Sequence, residues 1–382
     1  MAADRALDVY WHEETLRHEA PAGAFKLAST PIAGDEPHPD RPERIENIVR
    51  TVEHAFDDRS RFVPVEPAPR DRIERVHDPS YVSWLEEFCA KGGGRIEDTT
   101  TGANRATFEA ARYAAGTALA AARAALDVDG ADGEEAIPYA LARPSGHHAQ
   151  SDRADGFCFF NNVAIAAAAA LEEGAVDRVA IVDWDVHHCN GTQEIFDDRD
   201  DALVVSLHHD HGSWHPTYHP QEGSLDEVGS GAGAGYTVNV PLAIGTGDRG
   251  YEYAFERLVE PIVRAYDPDL LLVSAGQDAG VVDPNGRNLV TRPGFRRLGE
   301  RTRALADDAA DGRFALVQEG GYQPSHLSFA TLGVLEGVLG TTVDLDRYGT
   351  GDPFDWLDEP VEHAKTWIDA AAEAHAERWP VE

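Results

Sequence analysis

Ile181-Val182-Asp183-Trp184-Asp185-Val186-His187-His188 is an apolar run that ends in acids and imidazoles. Side chains alternate faces along a strand, so Asp183, Asp185 and His187 project the same way for as long as the backbone stays extended. Asp185 and His187 then offer one oxygen and one nitrogen, donors that suit zinc or another divalent transition ion. An isolated Asp-x-His fits equally well a buried strand whose acids cap the next helix, so the neighbouring segments decide.

Three other segments have the same form. Leu270-Leu271-Leu272-Val273 leads into Ser274-Ala275-Gly276-Gln277-Asp278, which sets a further carboxylate just past a strand end. The strand-like Ile137–Ala142 leads into Arg143-Pro144-Ser145-Gly146-His147-His148. Imidazoles are matched to taking a proton from water and giving one to a departing amine near neutrality, although two more metal ligands remain an alternative there. Phe314–Val317 leads into Gln318-Glu319-Gly320-Gly321-Tyr322, where the glycines allow close backbone approach and the phenol can donate to a developing oxyanion.

Further apolar strands are expected near Val179–Val182, Leu203–Leu207 and Tyr236–Val240. Helices are expected near Ala103–Leu126, Asn162–Glu173, Tyr251–Ala265, Pro293–Ala309 and Ser325–Leu339. Continuous apolar strands separated by helices imply an α/β fold with a mostly parallel sheet covered on both faces. Ligands of such sheets collect outside the carboxyl ends of the strands, so Asp278 can meet Asp185 and His187 in a three-donor site that stays open to water.

These motifs, in this order, resemble the histone deacetylase family, most closely its bacterial class II-like amidohydrolases and acetylpolyamine amidohydrolases. The likeness begins at His38-Pro39-Asp40-Arg41-Pro42-Glu43-Arg44 and runs through Arg75–Tyr81, Gly156–Asn162, Asp183–Gln193, Ser206-Leu207-His208 and Asn239–Leu242 to about Leu339. It implies a single arginase/deacetylase-like domain over residues 1–340, with an acidic extension over 341–382 packed on or beside it. It implies zinc on Asp185, His187 and Asp278, an acid/base pair at His147 and His148, and Tyr322 on the acyl oxygen. Asp183 would orient His147 and Asn190 would orient His148, the amide leaving His148 less basic than a carboxylate would. A structural potassium ion would take the carboxylate of Asp183, the hydroxyl of Ser206 and main-chain carbonyls of Asp185, His187 and Leu207. Asp98 occupies the place of the rim aspartate that holds substrate backbone, or else caps the next helix.

The reaction so implied is hydrolysis of an acetyl or acyl amide on lysine or on a small amine such as a polyamine, with no covalent enzyme intermediate. Gly156, Phe157 and Gly320 match the acyl tunnel, with Cys158 a packed neighbour. Departures from the family pattern fall at the tunnel wall. His215 stands where phenylalanine before proline is usual, Gln277 replaces a phenylalanine, and Asn285 follows Asp283-Pro284 where an apolar residue is usual. A more polar tunnel is expected. Cys189 replaces a glycine, which carries strain if that position needs positive φ. Two other functions are weighed: an arginase-type enzyme with two manganese ions, which needs more clustered aspartates, and a non-catalytic acyl binder, against which the retained histidines and Tyr322 count.

The formal net charge is −35 over 382 residues, and only Lys26, Lys91 and Lys365 are lysines among 33 basic residues. A direct nucleic-acid binder needs a basic surface, so that class is not expected. An acidic surface suits either molar salt or cationic partners, and the scarcity of lysine favours a halophile. Three cysteines without paired spacing, and an N-terminus without an apolar signal core, lead to an expectation of a cytoplasmic protein that makes no use of the membrane. The tail, with a helix near Val361–Trp379, either caps the domain or serves a homo-oligomer contact.

Overall fold

A computed structural model describes residues 6–96, 100–127, 136–210, 222–354 and 361–381. Among them the strands are β1 (Ala6–Trp11), β2 (Ser60–Pro64), β3 (Gly94–Arg95), β4 (Gly102–Ala103) and β5 (Ala136–Ala140). They continue with β6 (Val179–Asp183), β7 (Ala202–His209), β8 (Thr237–Leu242), β9 (Leu270–Ala275) and β10 (Phe314–Gln318). The α-helices are α1 (Glu43–Ala55), α2 (Arg70–Ile73), α3 (Pro79–Ala90), α4 (Thr107–Leu126), α5 (Asn162–Glu172) and α6 (Asn190–Phe196). After these come α7 (Asp248–Ala254), α8 (Glu260–Tyr266), α9 (Arg292–Ala309), α10 (Pro324–Leu339) and α11 (Val361–His375).

Eight strands form one parallel sheet in the order β2-β1-β5-β10-β9-β6-β7-β8. Alternation along each strand divides the core into two layers. Ala180 and Val182 of β6 join Leu271 and Val273 of β9 on the face covered by α1 and α7 to α11, whereas Val179, Ile181, Leu270 and Leu272 face α3, α4 and α5. The alanines of α4 let it lie close to its neighbours, with Ala110, Ala114, Ala118 and Ala121 all inaccessible to solvent or nearly so.

The order matters for the site because β5, β10, β9, β6 and β7 are consecutive neighbours. Their carboxyl ends are level: Asp183 pairs with Ser274 on one side and Ser206 on the other, and Gln318 pairs with Ala275. The loops that follow these strands therefore open on one edge of the sheet.

Sequence reading did not name β1, β2, α1 or α3. The helix expected from Ala103 starts at Thr107, because Gly102–Ala103 pairs with Gly94–Arg95 in a small hairpin. Beyond Leu339 the chain returns to the sheet: α11 packs on β8 and α7 and buries Ala364, Ile368, Ala371 and Ala372. Trp379 lies edge-on to Tyr236 and Tyr266, and its indole N–H donates to the Gly235 carbonyl at 3.0 Å. No helix among the described residues is long and apolar enough to cross a membrane.

Candidate active site

The extended backbone of β6 stops at Asp183, and residues 185–187 bend. Carboxylates make the bend. Asp183 Oδ1 accepts the Asp185 N–H (3.0 Å), Asp185 Oδ1 accepts the His187 N–H (2.9 Å), and Asp278 Oδ1 accepts the Val186 N–H (2.8 Å). Asp185, His187 and Asp278 thereby converge, while Asp183 turns aside to His147, so these side chains do not share the single direction expected of a continued strand. His187 Nδ1 lies 3.1 Å from Asp185 Oδ1 and 3.0 Å from Asp278 Oδ2, and one donor atom from each of the three falls within 4.8 Å of the others.

Two fully buried carboxylates at this distance repel, and burial followed by the charge of Asp185 pushes the Asp278 carboxyl up to about 6. A cation removes that conflict. The two oxygens and one imidazole nitrogen, with coordination left for water or substrate, fit a catalytic zinc site.

The histidine turn after β5 has no helix or strand of its own and is held from all sides. His147 Nδ1 meets Asp183 Oδ2 at 3.0 Å, and His148 Nδ1 meets Asn190 Oδ1 at 2.6 Å. Asn190 is oriented in turn, its Nδ2 donating to Asp155 Oδ2 at 3.4 Å. The two rings lie 4.1 Å apart but their environments push them in opposite directions. Burial opposes charge on His147, yet the carboxylates of Asp185 and Asp183 hold it well above the ordinary imidazole range. Burial, then the neighbouring His147 and His187, hold His148 well below that range. The two environments thus set the two imidazoles apart.

Tyr322 closes the group. Its N–H donates to Asp283 Oδ2 (2.6 Å), its ring meets Phe157 edge to face at 5.5 Å, and the Arg44 guanidinium lies 4.6 Å from its centroid. Arg44, fully buried, donates to the carbonyls of Gly321 and Glu319 and to Asp40, which also receives Arg143. Burial pushes the phenol well above its usual value despite Arg44, so it keeps its proton for donation. Residues 38–338 match the histone deacetylase domain. The chain belongs to the histone deacetylase family.

It is 40% identical over 378 residues to Histone deacetylase 8 of Arabidopsis thaliana, covering 98% of this chain and 97% of that protein. It is 34% identical over 364 residues to Polyamine deacetylase HDAC10 of Homo sapiens, covering 93% of this chain and 51% of that protein. The crystal structure of the HDA15 HD domain superimposes with a TM-score of 0.81 at 32% identity, covering 99% of this chain and 97% of the other.

The remaining residues named from sequence fall variously around this deacetylase-family site. Asp98 and His215 lie outside the described residues. Gly156 packs on His148 so closely that a Cβ there would stand 2.1 Å from the imidazole Cδ2. Gly320 approaches the candidate metal donors themselves, where a Cβ would stand 2.2 Å from Asp278 Oδ2. Ser206 stands beside Asp183 in the sheet register, with its hydroxyl 2.9 Å from His208 Nδ1, and Leu207 follows it, buried. Asn285 is 1% exposed, its N–H bound to Asp283 Oδ1 at 2.8 Å and its side-chain amide without a hydrogen-bond partner among the described residues.

Two sequence expectations give way. Gln277 adds no polar wall, because its side chain turns inward, donating to the Ala275 carbonyl (2.8 Å) and accepting from Gln318 (2.7 Å). Cys189 has φ −80°, a conformation open to any residue, so replacing glycine there costs no strain. Burial pushes the thiols of Cys158 and Cys189 well above the ordinary range, which leaves them protonated and poor nucleophiles. Residues that sequence reading missed are Arg44, Glu319 and Asp283, all of which bind main-chain groups of the site loops.

Proposed function

We propose that this protein is a zinc-dependent deacylase that hydrolyses the amide of an acetylated lysine or acetylated small amine. One observation carries the reading: Asp185, His187 and Asp278 converge at the strand ends beside His147 held by Asp183, His148 held by Asn190, and the loop that carries Tyr322. Zinc held by those three residues supplies Lewis-acid polarisation of the carbonyl and acidification of water. Neutral His148, its Nδ1 committed to Asn190, takes a proton from the attacking water at Nε2. His147, anchored on Asp183 through Nδ1, is placed to give a proton to the departing amine. Tyr322 donates to the acyl oxygen as negative charge gathers there.

Asp183, Ser206 and the carbonyls of Asp185, His187 and Leu207 are assigned to a structural potassium ion, whose charge offsets the buried Asp183 carboxylate. For substrate, small acetylated amines such as polyamines are favoured over acetylated protein tails. The likeness to a relative named as a polyamine deacetylase and the net charge of −35 both support that ordering.

Two measurements test the proposal. Elemental analysis of active protein is expected to find one zinc per chain, with hydrolysis lost to chelators and restored by zinc. Full activity after exhaustive chelation would sink it. Rates on acetylpolyamines, acetyl-lysine peptides and longer acyl-lysines then order the substrates, and a strong preference for long apolar acyl chains would contradict the polar choice.

A further inference from the structure

His147 and His148 sit on a turn, and a turn by itself is a loose platform for proton transfer. Something must fix it. Glu319, fully buried just beyond β10, reaches across to that turn, and its Oε2 accepts the N–H groups of both Gly146 (2.7 Å) and His147 (3.2 Å). The same residue is tied at its other end, since its carbonyl accepts Arg44 Nη2 at 2.7 Å. The next residue carries the link to the metal donors: the Gly320 N–H donates to Asp185 Oδ2 at 2.8 Å. One residue and its successor therefore connect the histidine turn to the zinc site across the strand boundary between β5 and β10.

We propose that Glu319 is a positioning residue that sets the distance between the His147 imidazole and the metal-site carboxylates by gripping the main chain of Gly146 and His147. This rests on the reading of His147 as part of the acid/base pair. The grip uses one oxygen only. Glu319 Oε1 is buried and has no hydrogen-bond partner among the described residues, so a side-chain amide, whose single carbonyl oxygen accepts both N–H groups, preserves the tether. Alanine removes the tether and leaves two buried N–H donors unpaired.

The test compares the parent with Glu319→Gln and Glu319→Ala, each checked for cooperative unfolding. Proton NMR reads the imidazole Nδ1–H of His147 bound to Asp183, and steady-state kinetics on an acetyl-lysine reporter separate kcat from KM. Glu319→Ala is expected to lose that resonance and to lower kcat about 100-fold, the usual cost of a misplaced catalytic group, with KM within about twofold. Glu319→Gln is expected to keep the resonance and to retain kcat within about tenfold. A parent-like resonance and kcat in the alanine variant would overturn the proposal, as would a folded glutamine variant that has lost both. If the alanine variant fails to fold, the glutamine variant decides by the same two readings. The resonance is read without turnover, so a parent protein that hydrolyses no acyl-amide defeats the functional reading while the tether is still judged separately.

Discussion

Tyr322 is held at both ends of its purpose: its main chain is pinned by Asp283 and its ring is fixed between Phe157 and Arg44. A phenol so placed donates most strongly when the acyl oxygen carries most charge. Tyr322→Phe is therefore expected to lower kcat on the order of 100- to 1,000-fold while KM changes little, and equal turnover in parent and variant would remove Tyr322 from the mechanism. The chemical side chains of the site were readable in the sequence because each stands in a short motif just past an apolar strand. Glu319, Asp283 and Arg44 were not, because they act on backbone groups, and a sequence does not say which N–H or carbonyl will come to meet a given side chain. Gln277 teaches the same lesson from the other direction, a polar residue beside the site whose hydrogen bonds all point away from it.

Helix α5 is joined to the histidine turn through its cap. Asn161 accepts the Ala164 N–H at the start of the helix, and its Nδ2 donates to the carbonyls of His147 (3.4 Å) and Ala149 (3.2 Å). His77 completes the joint: its Nδ1 donates to the Gln150 carbonyl at 2.8 Å and its Nε2 accepts the Asn161 N–H at 2.8 Å. Both ring nitrogens are thus committed to the neutral form, and burial lowers the imidazole to about 4. The sign follows from linkage. Between pH 6.5 and 4 the unfolded chain binds the proton and the folded chain does not, so this stability is complete above pH 6.5 and falls by about 3 kcal/mol as pH drops to 4. Denaturant unfolding at several pH values should show a shallower acid slope in His77→Gln than in the parent, although the variant is less stable at neutrality. Identical slopes would exclude His77 as the titrating group. At this scale the strongly periodic strands and helices were legible, whereas β1, β2, α1 and α3 went unnamed and the start of α4 was displaced by the hairpin that precedes it.

Across the whole molecule the surface is acidic and its cations are almost all arginine, many of them spent bridging carboxylates. Arg301 alone contacts Glu252, Glu256 and Glu260. A net charge of −35 still leaves carboxylates facing one another, and their repulsion weakens as the screening length shrinks to about 3 Å in molar salt. Thermal unfolding in a potassium chloride series is expected to show Tm rising steadily toward molar salt, and a flat Tm would end the halophile reading. The two-layered α/β plan was legible from the alternation of apolar strands and helices; the order of the strands was not, since parallel neighbours come from distant parts of the chain. That order has a consequence for the chain as it leaves the ribosome. The last strand made, β10, is inserted between β5 and β9, so until it arrives the sheet is two unjoined halves, β2-β1-β5 and β9-β6-β7-β8, each with a raw edge. Asp185, His187 and Asp278 follow strands of one half and the histidine turn follows a strand of the other, and Glu319 and Tyr322 arrive with the joining strand. A nascent chain stopped before Phe314 carries Asp185, His187 and Asp278 in one half and His147 and His148 in the other, so the strand that joins the two halves of the sheet is also the one that brings the candidate site together.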